Sequence, residues 1–258
     1  VNAGAITATS MVSGSSRDEI WTKILNYYGE FAGRKLSVNK EVFDSEAATN
    51  QRNQAIAHLM YAYGHIKDDP VQATDIYTEQ CSVNVNVMDL AKMAATLANG
   101  GRNPITGKQA MNNENVPEVL AVMATAGLYD DSGQWLYLTG LPAKSGVGGG
   151  IIAVQPGRFG IGIFSPRLDS KGNSVRGIAT CRRLSQALEL HLFDQTPLQQ
   201  SPVRSTYKGT ERRSRRWRST AEAAVLDPVR SQIKVLHAQG VLDFAALENV
   251  LGSIEQAA

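Results

Sequence analysis

The sequence contains little cysteine: only Cys81 and Cys181 occur among its 258 residues. They lie far apart, form no Cys-x-x-Cys pair and lack the spacing of metal ligands, so neither a disulfide framework nor a zinc site is indicated. Isolated thiols of this kind are typical of free, buried cysteines in a reducing cytosol. We therefore expect a cytoplasmic protein with two buried thiols and no bound metal.

Long hydrophobic runs are also lacking. No apolar stretch approaches the roughly 18 residues that cross a bilayer, which excludes a membrane-spanning helix. The first residues, Val1-Asn2-Ala3-Gly4, include no initiator methionine and no basic segment, so they look like neither a signal peptide nor a natural start. We expect the sequence to begin inside a longer protein.

The net charge is small, since 26 lysines and arginines against 24 acids give +2. The cations are unevenly placed. Seven of them and a single acid fall between Thr196 and Arg218, which gives that interval +6 and leaves −4 for the remainder. A mildly acidic body argues against nucleic acid as a partner. With 43% hydrophobic residues, the length suits one large domain or one domain and part of another.

Apolar residues recur at helical spacing through much of the sequence. Together with capping and stop signals, they predict helices over residues 2–6, 17–32, 44–64, 70–81, 87–98, 116–126 and 175–192. A single helix over 44–64 would place Glu46 and Asn53, two turns apart, on one face. Such a pair is either a solvated polar face or a pair of side chains that binds an amine and a carboxylate.

Short β-branched and aromatic runs predict three strands: Trp135–Leu138, Ile151–Val154 and Phe159–Phe164. The last two are joined by the turn Gln155-Pro156-Gly157-Arg158. Helices followed by adjacent antiparallel strands and a further helix indicate an α+β fold, in which helices cover an antiparallel sheet.

The triplet Lys144-Ser145-Gly146 precedes the middle strand and is followed by three more glycines within four residues. Glycines let a ligand or another backbone approach closely, Lys144 would suit a carboxylate, and strand N–H groups can hold an oxyanion. A Lys-Ser/Thr-Gly triplet also occurs in serine β-lactamases and penicillin-binding proteins. By itself the triplet is a weak signal, because most Lys-Ser-Gly occurrences lie in ordinary loops.

The composition changes near residue 195. We predict a main domain over 1–195, a basic linker over 196–228 and the start of a further domain over 229–258. The linker is polar and contains Pro197 and Pro202; binding of nucleic acid or lipid is the alternative. A strand near 233–236 and a helix over 244–254 follow, in a segment too short to be stable alone.

The blocks assembled above resemble the serine-dependent glutaminases of the β-lactamase and penicillin-binding-protein superfamily. The resemblance rests on residues 1–6, 45–53, 77–82, 93–101, 104–107, 129–134, 141–149 and 165–174. It implies a β-lactamase/DD-peptidase-like fold and hydrolysis of L-glutamine to L-glutamate and ammonia through a serine acyl-enzyme. It further implies no cofactor and a homo-oligomer. Residues 233–258 resemble the start of an α/β STAS domain, through the step Gly240-Val241-Leu242-Asp243-Phe244.

Carried over by matching motif, the family's site falls on six residues. The resemblance implies that Asn2, Glu46, Asn53 and Tyr77 hold the α-amino and α-carboxylate groups of glutamine. Tyr129 would lie beside the nucleophile and relay its proton, and the backbone N–H of Val147 would form half of the oxyanion hole.

The sequence departs from the family at the nucleophile. A Ser-x-x-Lys pair is expected upstream of Asn2, where this sequence has no residues to match. Three Ser-x-x-Lys matches do occur, but none follows the family order: Ser37/Lys40, Ser205/Lys208 and Ser231/Lys234. We therefore expect that this chain alone does not turn over glutamine.

Two other functions fit parts of the sequence. One is a β-lactamase-like or DD-peptidase relative, and the other is a non-catalytic regulatory protein that binds through the linker and the STAS-like piece. Glu46, Asn53 and Tyr77 suit the head group of a free amino acid, which favours the glutaminase.

Overall fold

The structure is a computed structural model that describes residues 2–194, 202–212, 216–240 and 244–255. The chain divides into two compact units, Val1–Asp194 and Gln195–Ala258. No helix within these described ranges is both long and apolar enough to cross a membrane.

The first unit consists of helices and one small sheet. Its helices are α1 (Ala3–Ser10), α2 (Arg17–Ala32), α3 (Lys40–Ala48), α4 (Gln51–Ala62), α5 (Pro70–Cys81), α6 (Val87–Ala98), α7 (Val116–Ala126), α8 (Ser132–Thr139) and α9 (Val175–Leu188). Strands β1 (Ala143–Ser145), β2 (Gly150–Gln155) and β3 (Phe159–Phe164) pair antiparallel in the order β1-β2-β3. Short 3-10 turns cover Asn113–Asn115 and Tyr129–Asp131. The α+β prediction is confirmed.

Local signals account for the helices that were predicted correctly. The Ser16 side chain accepts the Glu19 N–H at the start of α2, and Gly33 ends that helix with a φ of 69°. Asn86 forms a capping box with Asp89 at the start of α6. The predicted bounds of α5, α6 and α7 are confirmed, as is the hairpin of β2 and β3.

The strand predicted over Trp135–Leu138 is wrong, because these residues lie in helix α8. Trp135 and Thr139, one turn apart, are both buried, whereas Tyr137 is 82% exposed. The indole Nε1 of Trp135 donates to the Leu141 carbonyl at 2.7 Å. An apolar run of four residues does not distinguish strand from helix, and here the buried positions follow helical spacing.

The single helix predicted over 44–64 is also wrong. The Thr49 N–H donates a hydrogen bond to the Glu46 carbonyl where α3 ends. Helix α4 begins after the buried Asn50. The Asn50 amide donates to Thr78 Oγ1 at 3.3 Å, a tertiary contact that competes with a continuous helix. Glu46 and Asn53 therefore lie on different helices, and the prediction that they share one helix face is wrong.

The sheet lies between two helical layers. Ile151 and Ala153 face a core cluster that includes Leu128, Trp135 and Leu190, while Val154 faces α6 on the other side. Strand β3 packs directly on α6: a Cβ at Gly160 would lie 2.1 Å from the Ala95 nitrogen. This packing holds the sheet against α6 at the edge opposite β1, the strand that carries Lys144.

Two further expectations need correction. Helix α9 ends at Leu188 rather than at residue 192, because Glu189 adopts a left-handed φ of 51°. Cys181 is buried as expected, but Cys81 is exposed.

The second unit contains β4 (Val203–Lys208), α10 (Thr220–Leu226), a 3-10 turn at Arg230–Gln232, β5 (Lys234–Ala238) and α11 (Phe244–Glu255). Strands β4 and β5 pair antiparallel, so the linker predicted over 196–228 is wrong for the residues of β4 and α10. Residues 195–201 and 213–215 of that interval lie outside the described residues, as do 241–243 of the STAS-like step. The STAS assignment stays a prediction.

Candidate functional site

The residues that the sequence singled out come from six different elements of the first unit. Asn2 precedes α1, and its Nδ2 donates to Asn53 Oδ1 on α4 at 3.1 Å. Glu46 lies on α3, Tyr77 on α5, Tyr129 in the turn after α7, and Val147 in the turn between β1 and β2. Helices α1, α4 and α5 share a core cluster against which Tyr77 packs. The Asn2–Asn53 pair is thereby held beside the helix that carries Tyr77.

Tyr77 and Cys81 lie one turn apart on the same face of α5. Burial raises the pKa of Tyr77 well above its ordinary range, and the hydrogen bond to Cys81 raises it further. Burial also raises the pKa of Cys81; the Tyr77 hydrogen bond lowers it, and the negative charge of Glu46 raises it. Both groups therefore stay protonated at neutral pH and remain hydrogen-bond donors.

Tyr129 lies opposite Tyr77 and has an uncommon backbone. Its φ is 52°, in the left-handed region, which costs a residue with a Cβ about 1–3 kcal/mol. Burial raises the pKa of Tyr129, the thiol of Cys81 raises it slightly, and a hydrogen bond from the backbone N–H of Val147 lowers it. The phenol therefore stays protonated at neutral pH.

The Lys144 ammonium lies over the Tyr129 ring, 4.6 Å from its centroid, and donates to the carbonyl of Ser145. Burial lowers the pKa of Lys144. The neighbouring hydroxyl of Ser145 is buried and without a hydrogen-bond partner. Successive strand side chains point to opposite faces, so the Lys144 ammonium, and not the Ser145 hydroxyl, lies on the side of the Tyr129 ring.

The turn that carries Val147 is tightly constrained. The Gly149 N–H donates to the Gly146 carbonyl and the Gly146 N–H to the Gly150 carbonyl, each at 2.9 Å. Gly149 has a φ of 90°, and a Cβ there would lie 2.5 Å from Pro166 Cα. The glycines thus fix the turn that carries Val147, whose side chain is 70% exposed.

A groove of about 800 Å³ runs along α6 and the sheet from this point. Its polar end holds Lys144, Ser145 and Cys81, and its walls include Leu90, Ile152 and Phe164. Cys81 is a residue of this site that the sequence reasoning did not single out. Its spacing of four residues from Tyr77 on one helix was the available signal.

The three Ser-x-x-Lys matches do not form helical pairs. Ser37 lies before α3, and Lys40, its first residue, pairs with Asp44. Ser205 and Lys208 lie three residues apart on strand β4, on opposite faces. Ser231 lies in a 3-10 turn, and Lys234 begins β5. Within the described part of the chain, none of these serines has its lysine one α-helical turn away.

Known proteins resemble this chain in sequence and in fold. The sequence model of the glutaminase family matches residues 1–193. Glutaminase 2 of Yersinia pestis is 51% identical over 197 residues, which are 76% of this chain and 58% of that protein. The chain therefore spans less than two thirds of the length of this relative.

Two solved structures extend the comparison. Mglu in its glutamate form is 39% identical with a TM-score of 0.78, over 99% of this chain and 54% of that chain. The Bacillus subtilis glutaminase YbgJ was solved as a covalent complex with 5-oxo-L-norleucine, formed by reaction with 6-diazo-5-oxo-L-norleucine. It is 32% identical with a TM-score of 0.72, over 75% of this chain and 69% of that chain.

Proposed function

The chain belongs to the glutaminase family, and on that premise we propose that its site serves the hydrolysis of L-glutamine to L-glutamate and ammonia. The observation that carries the proposal is the position of the Lys144 ammonium, 4.6 Å from the centroid of the Tyr129 ring, on the edge strand that leads into the turn of Val147. Acyl transfer requires a proton donor and an oxyanion donor, the roles that we assign to Tyr129 and to the Val147 N–H.

We assign the head group of glutamine to the helical side of the site. The Glu46 carboxylate suits the α-ammonium group, and the amides of the hydrogen-bonded pair Asn2 and Asn53 suit the α-carboxylate. Tyr77, protonated and half-buried, donates a further hydrogen bond. The side-chain amide of the substrate then points toward Tyr129 and Val147.

The proposed reaction has two steps. A serine oxygen attacks the amide carbon while a lysine takes the serine proton, and the Val147 N–H stabilises the oxyanion. Tyr129 relays the proton to the leaving nitrogen, the C–N bond breaks, and ammonia leaves an acyl-serine ester. Water then hydrolyses the ester to L-glutamate. The covalent complex of the Bacillus subtilis enzyme supports a nucleophilic mechanism.

We propose that the serine and its lysine come from residues outside this sequence, because no Ser-x-x-Lys match in the described residues forms a helical pair. The glutaminase relatives favour glutamine over a lactam or a peptidoglycan peptide as substrate. A cytoplasmic location and a homo-oligomer belong to the same proposal, and the two unlinked thiols support the former.

Ammonia release from L-glutamine tests the proposal. The chain alone should release none above the rate of buffer, and 6-diazo-5-oxo-L-norleucine should add no mass to it. The assignment of the nucleophile would be contradicted if the chain released ammonia and one of three substitutions abolished that release: Ser37→Ala, Ser205→Ala or Ser231→Ala. Modification of this chain by a penicillin would contradict the assignment of the substrate.

A further inference from the structure

A chain of hydrogen bonds through Gln80 connects three helices beside the proposed site. The Tyr28 hydroxyl on α2 donates to Gln80 Oε1 on α5 at 2.9 Å. Gln80 Nε2 donates to Thr9 Oγ1 on α1 at 2.8 Å, and the Thr9 hydroxyl donates to the Ala5 carbonyl at 2.9 Å. Each group accepts from one neighbour and donates to the next, so the chain runs without a break from α2 through α5 to the backbone of α1.

Helices α2 and α1 differ in how firmly they are held. Helix α2 is anchored on α5 by Arg17, whose guanidinium bonds Asp75 Oδ2 at 2.6 Å and also pairs with Glu79. Helix α1 has only 8 residues and no side-chain cap at Asn2. A helix of that length is not stable by itself in water. Contacts with neighbouring elements therefore determine where α1 lies.

Apolar packing holds α1 on one side. Ile6 is buried in a cluster with Ala57 of α4 and Ala73 of α5. Toward α2, by contrast, a cavity of about 500 Å³ is lined by side chains of both helices, among them Ala8 and Ile24. The hydrogen bonds of Gln80 therefore supply a connection between α1 and α2 where close packing does not.

The first turn of α1 begins at Asn2, which the proposed function assigns to the substrate. The Asn2 carbonyl accepts the Ile6 N–H at 3.0 Å, and Asn2 Nδ2 donates to Asn53 Oδ1 at 3.1 Å. Gln80 lies one turn after Tyr77 on the same face of α5. A displacement of α1 along α5 would therefore move Asn2 relative to Asn53 and to Tyr77.

We propose that Gln80 is a positioning residue, which holds α1 against α2 and α5 so that Asn2 meets Asn53 at the head-group end of the site. Gln80 acts through Thr9 and the backbone of α1, and not by contact with the substrate. Its consequence for glutamine rests on the proposed function, whereas the hold on Asn2 does not.

Hydrogen exchange of the Ile6 amide, followed by NMR on the full chain, tests the proposal, because this N–H bonds the Asn2 carbonyl. Gln80→Leu removes both bonds of the bridge and should speed this exchange at least about fivefold, the effect of losing one hydrogen bond. Thr9→Val keeps the shape of the side chain and should speed the exchange about fivefold, and Thr9→Ser should restore the parent rate. Thr9→Val keeps the test valid if Gln80→Leu does not fold.

Two controls separate this hold from general loosening. Gln109 also bridges two groups, because its Nε2 donates to two carbonyls in the loop between α6 and α7, and Gln109→Leu should leave the Ile6 rate unchanged. The Ile178 amide occupies the corresponding position of α9, where it bonds the Ser174 carbonyl at 2.9 Å. It should keep its rate in every variant.

The proposal is overturned if Gln80→Leu or Thr9→Val exchanges Ile6 as the parent does, or if Thr9→Ser does not restore the rate. Acceleration of Ile178 together with Ile6, or of Ile6 by Gln109→Leu, would overturn it as well, because the effect would then not be specific to the bridge.

L-Glutamate binding separates this inference from the proposed function. If the parent binds L-glutamate, Gln80→Leu and Thr9→Val should bind it more weakly, because Asn2 is in place in a smaller fraction of the molecules. Variants that bind as tightly as the parent would overturn the consequence for the substrate. A parent that binds no L-glutamate would count against the function, while the Ile6 rates would still decide the hold on Asn2.

Discussion

The ammonium of Lys144 lies 4.6 Å from the centroid of the Tyr129 ring, on the edge strand of the sheet. Lys144 lines the groove together with Gly146 and Gly148, the neighbours of Val147. The pKa of the lysine is lowered by burial, and that of the phenol is raised mainly by burial. This contact joins the Lys144 triplet to the residue that we expect to relay the proton.

The lowered pKa of Lys144 predicts a pH dependence of stability. The unfolded chain binds more protons than the folded chain at any pH between the lowered pKa of Lys144 in the folded chain and its ordinary pKa of 10.5. The free energy of unfolding of the parent should therefore rise with pH in this window, relative to that of Lys144→Met. Urea denaturation of both proteins between pH 8 and 11 measures this difference in the free energy of unfolding. Lys40→Met, at an exposed pair with Asp44, is the control and should show no such rise.

Cys81 should be the thiol that reacts with N-ethylmaleimide in the native chain, because Cys181 is buried. The thiolate is the reactive form, and burial raises the pKa of Cys81, so labelling should be slow at pH 7 and accelerate as the pH rises past 9. Tyr77→Phe removes a hydrogen bond that lowers this pKa and should slow labelling further. Tyr137→Phe, a substitution at an exposed position, should not change the labelling rate of Cys81.

Mass spectrometry of the labelled peptides checks this prediction, and L-glutamate adds a second readout. Cys81 lines the groove beside Lys144, so bound glutamate should slow its labelling. Labelling of Cys181 ahead of Cys81, or a rate that glutamate leaves unchanged at a saturating concentration, would contradict the placement of Cys81 in the site.

The ion pair of Asp89 with Arg34 should anchor α6, the helix under the sheet. Asp89 is 1% exposed, bonds Arg34 through both oxygens and accepts the Asn86 N–H at 2.9 Å. We expect Asp89→Asn to lower the free energy of unfolding by about 2 kcal/mol at pH 7, less than for a fully buried pair because Arg34 is half exposed. Asp44→Asn, at a surface pair, should cost at most about 0.5 kcal/mol.

The same ion pair predicts an acid dependence. The Arg34 hydrogen bond holds the pKa of Asp89 below its ordinary value of 3.8. Its contribution is therefore complete above that value and is lost as the pH falls through the lowered folded pKa. The difference between parent and Asp89→Asn should shrink on going from pH 7 to pH 2.5 in urea titrations. A constant difference would contradict the assignment.

Gly160 should tolerate no side chain, because β3 lies against the backbone of α6. A Cβ there would lie 2.1 Å from the Ala95 nitrogen and 2.3 Å from the Ala94 carbonyl carbon, which are backbone atoms and cannot yield. Gly160→Ala should lower the free energy of unfolding by about 3 kcal/mol. Gly133→Ala is the matched control: its Cβ meets open space in helix α8, and it should stabilise by up to about 1 kcal/mol. Thermal unfolding measures both.

Local signals predicted much of the fold, and their limits are visible in particular elements. Helix α6 agrees with its predicted bounds, because the apolar spacing and Gly100 mark its face and its end. The sequence predicts a strand within helix α8, because the apolar run there is short and its burial depends on Leu141 and the sheet. The break before Asn50 depends on a contact with Thr78, which sequence spacing does not reveal.

The candidate site divides in the same way. The resemblance supplied Tyr129 and Val147, and the structure places Gly172 against both of their side chains. The bond from Asn173 to the Leu128 carbonyl joins residues 45 positions apart, and no local pattern predicts it. The left-handed backbone of Tyr129 is equally hidden from the sequence, because an aromatic residue gives no signal for a positive φ.

Isothermal titration of the chain with L-glutamate tests the central claim, that this site holds the head group of glutamine. The parent and Asp44→Asn, a control on the same helix as Glu46, should bind L-glutamate with equal affinity. Glu46→Gln should bind at least about tenfold more weakly, because it loses a charge-assisted hydrogen bond to the α-ammonium group. A folded parent that binds no L-glutamate, or a Glu46→Gln variant that binds as tightly as the parent, would contradict the claim.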